Sequence, residues 1–98
     1  MIEDRIAEIG VDEKGRLYVR PELQDFPHIY RTALGILWEA SDRRLVAASA
    51  QGQAYLDGFH RIVAAVADEY DVRLRLGSMT TWVAIGDDLR GEMEAATL

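Results

Sequence analysis

Between Gln53 and Tyr70 the sequence places Tyr55, Phe59, Ile62, Val63, Val66 and Tyr70 at the i, i+4, i+7, i+8 spacing of one helix face. A strand cannot bury that set, because successive strand residues point to opposite sides. Gln53, Asp57, Arg61, Asp68 and Glu69 populate the other side. Asp57 to Arg61 is an i, i+4 ion pair in the favourable order, a contribution of about 0.3–0.5 kcal/mol. Gly58 inside this helix costs about 1 kcal/mol relative to alanine, which reads either as a close approach to another backbone or as ordinary core packing. One amphipathic helix must lay its apolar stripe on something, and the remaining sequence supplies strands.

Ile9 and Val11 alternate, Asp12-Glu13-Lys14-Gly15 follows, and Leu17 and Val19 alternate up to Pro21. Two period-two runs around a turn in which Gly15 can take positive φ predict a hairpin. Ile2, Ile6 and Ile9 also fit one helical face, so the first residues read either as a short helix or turn, or as the start of the strand. Residues 22–28 read as a loop bounded by Pro21 and Pro27.

Ile29 to Ala40 fits two patterns. Phe26, Ile29, Tyr30, Ala33, Ile36 and Leu37 make a helical stripe, with Asp25 as its N-cap, whereas Tyr30, Thr32, Leu34, Ile36 and Trp38 alternate as a strand. The second set is mostly aromatic or β-branched, and Gly35 disfavours a helix interior. Ser41-Asp42-Arg43-Arg44 then leads into the apolar run Leu45 to Ala48. We read a hairpin.

After the helix, Val72, Leu74 and Leu76 alternate with Arg73 and Arg75 ahead of Gly77-Ser78, and Met79 to Val83 returns as a short strand. With a two-residue turn, Leu76 faces Met79, Val72, Leu74, Thr81 and Val83 share one face, and Arg73, Arg75 and Trp82 share the other. Gly86-Asp87-Asp88 opens a last helix through Leu89 and Met93, its acids at the end where the dipole favours them. The expected class is α+β: one domain over residues 1–98, with an antiparallel sheet of about five strands, the long helix across one face and a short C-terminal helix.

Composition narrows the chemistry. The 98 residues carry 11 basic and 17 acidic side chains, a formal charge of −6, and the pI is near 4.8. Nucleic acid and anionic membranes are poor partners for such a balance. Cysteine is absent, which removes disulfides, thiolate metal sites and cysteine nucleophiles and suits a reducing cytosol. The longest apolar stretch, Ile62 to Ala67, is far short of the roughly 20 residues of a membrane span. Met1-Ile2-Glu3-Asp4-Arg5 lacks the basic start and apolar middle of a secretory signal. A cytoplasmic protein is expected.

Ile29-Tyr30-Arg31 with Trp38-Glu39, Tyr55-Leu56-Asp57-Gly58-Phe59, Asp68-Glu69-Tyr70 and Thr81-Trp82 resemble small proteins encoded by integron gene cassettes, the Hfx-Cass5-like domain. The similarity covers residues 26 to 96. It implies a compact α+β domain, often self-associating, without an assigned biochemical role. Gly58 departs from the large aromatic that such a helix is expected to carry.

Candidate sites follow from residue type. Asp57 lies three residues before His60, an Asp-His pair on one helix side, but no nucleophile accompanies it: Ser41, Ser49 and Ser78 sit in no Gly-x-Ser-x-Gly elbow. His28 and His60 are the only imidazoles, and no His-Glu-x-x-His, calcium loop or phosphate loop is present. No metal or cofactor is expected, and the protein reads as non-enzymatic. Trp38, Tyr55 and Phe59, with Glu39 or Asp57 supplying charge, are the residues of an aromatic pocket for a cationic or amphipathic molecule; core filling competes with that reading. Arg73, Arg75 and Trp82 are the candidates for a protein interface, since Arg and Trp are enriched there. A small domain with open sheet edges favours homo-oligomers, a dimer or a dimer of dimers. Asp68, Glu69 and Asp71 crowd a helix C-terminus where the dipole disfavours acids, which points to a basic protein partner or simply to solubility.

Overall fold

The computed structural model describes residues 2–27, 29–31, 35–47 and 55–96. His28, Thr32, Ala33, Leu34, Ala48, Ser49 and Gln53, all used in the sequence reading, lie outside them. In chain order the elements are β1 (Ile2–Val11), β2 (Leu17–Pro21), β3 (Tyr30–Arg31), β4 (Ile36–Glu39), β5 (Arg44–Ala47), α1 (Tyr55–Tyr70), β6 (Val72–Arg75), β7 (Thr81–Val83) and α2 (Asp87–Ala96). Among the described residues the strands run β3-β4-β5-β2-β1-β6, with β7 also paired to β1. The α+β class, the long helix and the short last helix are as the sequence reads.

The first hairpin closes on Asp12. Its Oδ1 accepts the backbone N–H groups of Lys14 at 3.0 Å and Arg16 at 2.8 Å, and Gly15 takes φ of 77°. Such local bonding is what makes Asp and Gly turn residues. The hairpin expected from residues 29–40 into Leu45–Ala48 forms as β4 with β5, Trp38 opposite Leu45 and Glu39 opposite Arg44, but the single strand expected from Tyr30 to Trp38 is two, β3 pairing antiparallel with β4 so that Tyr30 stands opposite Leu37.

A register shift between Ile6 and Glu8 marks a bulge at Ala7. Before it the even residues Asp4 and Ile6 face the helices; after it the odd residue Ile9 does. A bulge changes which face each residue takes. Ile6 and Ile9 therefore share the core although three residues apart, which is why the segment also carried a helical period; it is strand throughout.

The end of the sheet corrects the expected antiparallel β6–β7 hairpin. Both strands run parallel to β1, β6 along residues 2–5 and β7 along residues 8–10. The cause is Thr80, which is buried: its hydroxyl donates to the Ile6 carbonyl at 2.7 Å and accepts the Gly77 N–H at 3.0 Å. That hold carries the chain past the bulge and lays Trp82 beside Ile9.

The core lies between the sheet and both helices. Gly58, Phe59, Ile62, Ala65 and Val66 are the buried positions of α1, against Ile9, Leu17, Val19, Leu45, Ala47 and Leu74. Each large side chain fully buried here stabilises by about 1.5–3 kcal/mol before cavity effects. Phe26 joins them, edge-on to Trp38 at 5.9 Å and to Tyr70 at 4.9 Å between ring centres. A Cβ on Gly58 would stand 3.3 Å from Ala47 Cβ and 3.6 Å from Leu17 Cδ2, so the helix approaches the sheet too closely there for a large aromatic. At the end of α1, Asp71 has φ of 56° and its N–H bonds the Ala67 carbonyl at 3.1 Å, a left-handed C-terminal cap. One acid of the C-terminal cluster thus has a backbone role, since Asp tolerates this conformation.

Candidate functional site

Both helices lie on one side of the sheet, so among the described residues the opposite face carries no second layer. Its outward positions alternate with the core positions: Tyr18 and Arg20 on β2, Leu37 and Glu39 on β4, Arg44 and Val46 on β5. The Tyr18 hydroxyl donates to Glu8 Oε2 on β1 at 2.6 Å, and the Arg44 guanidinium sits 4.7 Å from the centre of its ring.

Around that stack the charges interlock. Arg44 Nε donates to Glu39 at 2.7 Å and Arg44 Nη2 lies 3.4 Å from Asp12; Arg16 bridges the same two carboxylates at 2.9 and 3.0 Å; Arg20 pairs with Glu8 at 3.2 Å. Only 7% of the Asp12 side chain and 15% of Arg44 are exposed. Burial by itself pushes the Asp12 carboxyl up, but hydrogen bonds from Arg16 and Lys14 hold it below the ordinary aspartate value. The bond from Arg44, against the opposing effect of burial and joined by Arg16, lowers Glu39. Burial and the bond to Glu8 push Tyr18 up to about 12. A hollow of about 520 Å³ opens over Asp12, Arg16, Tyr18, Glu39, Arg44 and Val83. Its lining is pre-ordered, polar and of both signs, which suits contact with another ordered surface.

The residues singled out from the sequence are dispersed. Trp82 is not with Arg73 and Arg75: it is half-buried on the helix side, with Arg90 of α2 4.9 Å over its ring, whereas the two arginines stand on the outer face of β6. The two-residue turn that would have joined them does not form, because Thr80 holds the chain elsewhere. The aromatic pocket is not assembled either. Phe59 is in the core, Trp38 packs on it from the same side, and Glu39 points to the opposite face. Tyr55 is at the start of α1, its hydroxyl donating to the Gly15 carbonyl at 3.1 Å. Asp57 is exposed and lies 3.5 Å from Arg61, the pair expected, and His60 is exposed beside Phe59. No group of three His, Asp or Glu side chains able to hold a metal occurs among the described residues, and none of their helices is long and apolar enough to cross a membrane.

Asp12, Arg16, Tyr18 and Arg44 were not read as a site from the sequence. The signal was present in part: Arg16, Tyr18 and Arg20 are the positions left over when Leu17 and Val19 are taken as core. Nothing local brings Arg44 to Asp12, 32 residues away.

The family described as Integron Cassette Protein Hfx_Cass5 matches residues 4–80. The integron cassette protein Hfx_Cass5 from the mobile metagenome of the North West Arm Sewage Outfall, a solved structure, is 34% identical over 99% of this chain and 97% of that one, with a TM-score of 0.49. No curated protein matches.

Proposed function

This chain belongs to the Hfx_Cass5 family of integron cassette proteins, and from that premise we propose that it is a non-enzymatic protein-interaction module that binds a second copy of itself. The observation that carries the reading is the outer face, over which no helix lies among the described residues, with its interlocked charges. Three arginines, Arg16, Arg20 and Arg44, meet four carboxylates, Glu8, Asp12, Glu39 and Asp42, so this patch carries one net negative charge on a chain of −6.

Most of the acidity is elsewhere. α1 holds Asp57, Asp68 and Glu69 against Arg61, and α2 holds Asp87, Asp88, Glu92 and Glu94 against Arg90, so the helices carry five of the six net negative charges. Two copies meeting through helices would bring these charges within the Debye length of about 8 Å. Two copies meeting through the outer faces place guanidiniums against carboxylates, the self-complementary pattern of a two-fold interface. Leu37 and Val83, 39% and 37% exposed, supply apolar contact at its sides. The molecule measures 30 × 29 × 22 Å, and its broad face is large enough for the about 800 Å² per partner of a stable interface. Edge pairing is less suited: β3 has two residues, and β6 carries arginines, which guard an edge.

Sedimentation velocity across the micromolar range tests this. The expected result is a concentration-dependent dimer that Val83→Arg shifts to monomer, while Ala64→Arg, on the exposed side of α1, leaves it intact. A monomer at every concentration removes the proposal; a dimer indifferent to Val83→Arg and broken by Ala64→Arg moves it to the helices.

A further inference from the structure

Arg5 and Arg75 are register partners on adjacent parallel strands, and Arg73 is the preceding outward residue of β6. Like charges directly opposite one another in a sheet destabilise it, and arginine keeps its charge at any pH at which a protein folds. Glu3 answers one of them, accepting from Arg75 Nη1 at 2.8 Å. Arg5 and Arg73 are exposed, and neither side chain makes a hydrogen bond or ion pair among the described residues. On the outer face of the two strands Arg5, Arg73 and Arg75 stand against Glu3, the register partner of Arg73, and Glu22 lies beside Arg5, which leaves one positive charge in excess at this end of the sheet of a chain whose net charge is −6.

Two hollows adjoin Arg5. One of about 340 Å³ is lined by Glu3, Asp4, Arg5, Arg75, Leu76 and Gly77, and another of about 420 Å³ includes Arg5, Ala7, Glu22, Ser78 and Thr80 in its lining; Arg73 stands outside both. Both are of the size that takes a small molecule. The bulge at Ala7 and the Thr80 hold create them, by parting β6 from β7 along the edge of β1. The guanidinium fork matches oxyanions in two-point contact.

We propose that Arg5 and Arg75, with Arg73 next to them on the outer face of β6, form a binding site for a small oxyanion bearing at least two negative charges, a phosphate ester or a polycarboxylate. Edge protection accounts for arginines on β6 but not for a second arginine directly opposite on β1; such a ligand bridges the two guanidiniums and removes their repulsion.

The test is calorimetric titration and thermal melting of the full chain with pyrophosphate and with citrate, at ionic strength matched by sodium chloride. Saturable binding of either probe, weakened about tenfold or more by Arg5→Gln and by Arg73→Gln but not by Arg43→Gln, supports the site, and the stronger probe separates phosphate from carboxylate recognition. Arg5→Gln is also expected to raise the ligand-free melting temperature, the reverse of what loss of a structural contact does. The proposal is overturned if neither probe acts beyond the chloride control, if the Arg5→Gln, Arg73→Gln double variant binds as well as the parent, or if these variants change only self-association.

Discussion

Gly10 of β1 lies against Val83 of β7 so closely that a Cβ on the glycine would stand 2.7 Å from the Val83 carbonyl oxygen and 2.8 Å from its Cβ, with the Tyr18 hydroxyl at 2.9 Å. Real Cβ atoms do not make such contacts with backbone, so the glycine sets how near β7 can come. Gly10→Ala is expected to lower stability by about 1–3 kcal/mol, read from the urea midpoint, and to loosen β7 in amide hydrogen exchange. An unchanged midpoint would show that β7 can move off without loss.

Thr80 ties the same region from below. Replacing it by valine keeps the volume but leaves the Ile6 carbonyl and the Gly77 N–H without the hydroxyl between them. Thr80→Val should cost about 1–3 kcal/mol, whereas Thr81→Val, at an exposed position next to it, should change little. Equal effects at the two positions would contradict this assignment.

The outer-face network makes acid stability depend on two carboxylates. Asp12 and Glu39 are lowered from reference values of 3.8 and 4.5 in the folded chain. A depressed folded value contributes stability that is present above the unfolded one and is lost as pH falls through the folded one. Urea midpoints should therefore fall on acidification below the reference values, and Arg44→Gln, which removes a partner of both groups, should flatten that dependence. An identical acid slope in parent and variant would refute the coupling.

On the alkaline side the sign reverses. Tyr18, at about 12, lies above the ordinary tyrosine value of 10.0. A raised folded value contributes stability that is complete below the unfolded one and disappears as pH rises through the folded one. The parent should lose stability between pH 10 and about 12, with a component absent in Tyr18→Phe. Absorbance titration of tyrosinate should show the matching late step vanish in the variant.

What the residues decided alone was local. The stripe from Tyr55 to Tyr70, the Asp12–Gly15 turn and the alternation through Trp38 and Leu45 each depend on neighbours a few positions away, so the α+β class, the long helix and two hairpins are legible in the sequence itself. Gly58 reads from the sequence as a close approach to a backbone or as core packing, and what it meets are side chains of the core, Ala47 and Leu17. The tertiary structure decided which faces met. The bulge at Ala7 changes the side on which every later β1 residue stands, and the Thr80 hydroxyl bonds a carbonyl 74 positions away. Period-two reasoning fails at such points, because one unpaired residue exchanges inside for outside. Trp82 therefore went to the core while Arg73 and Arg75 stayed outside, and Arg5 took its place beside them. Arg44 reached Asp12 and Tyr18 for the same kind of reason: strand order, which no local spacing encodes, set β5 beside β2.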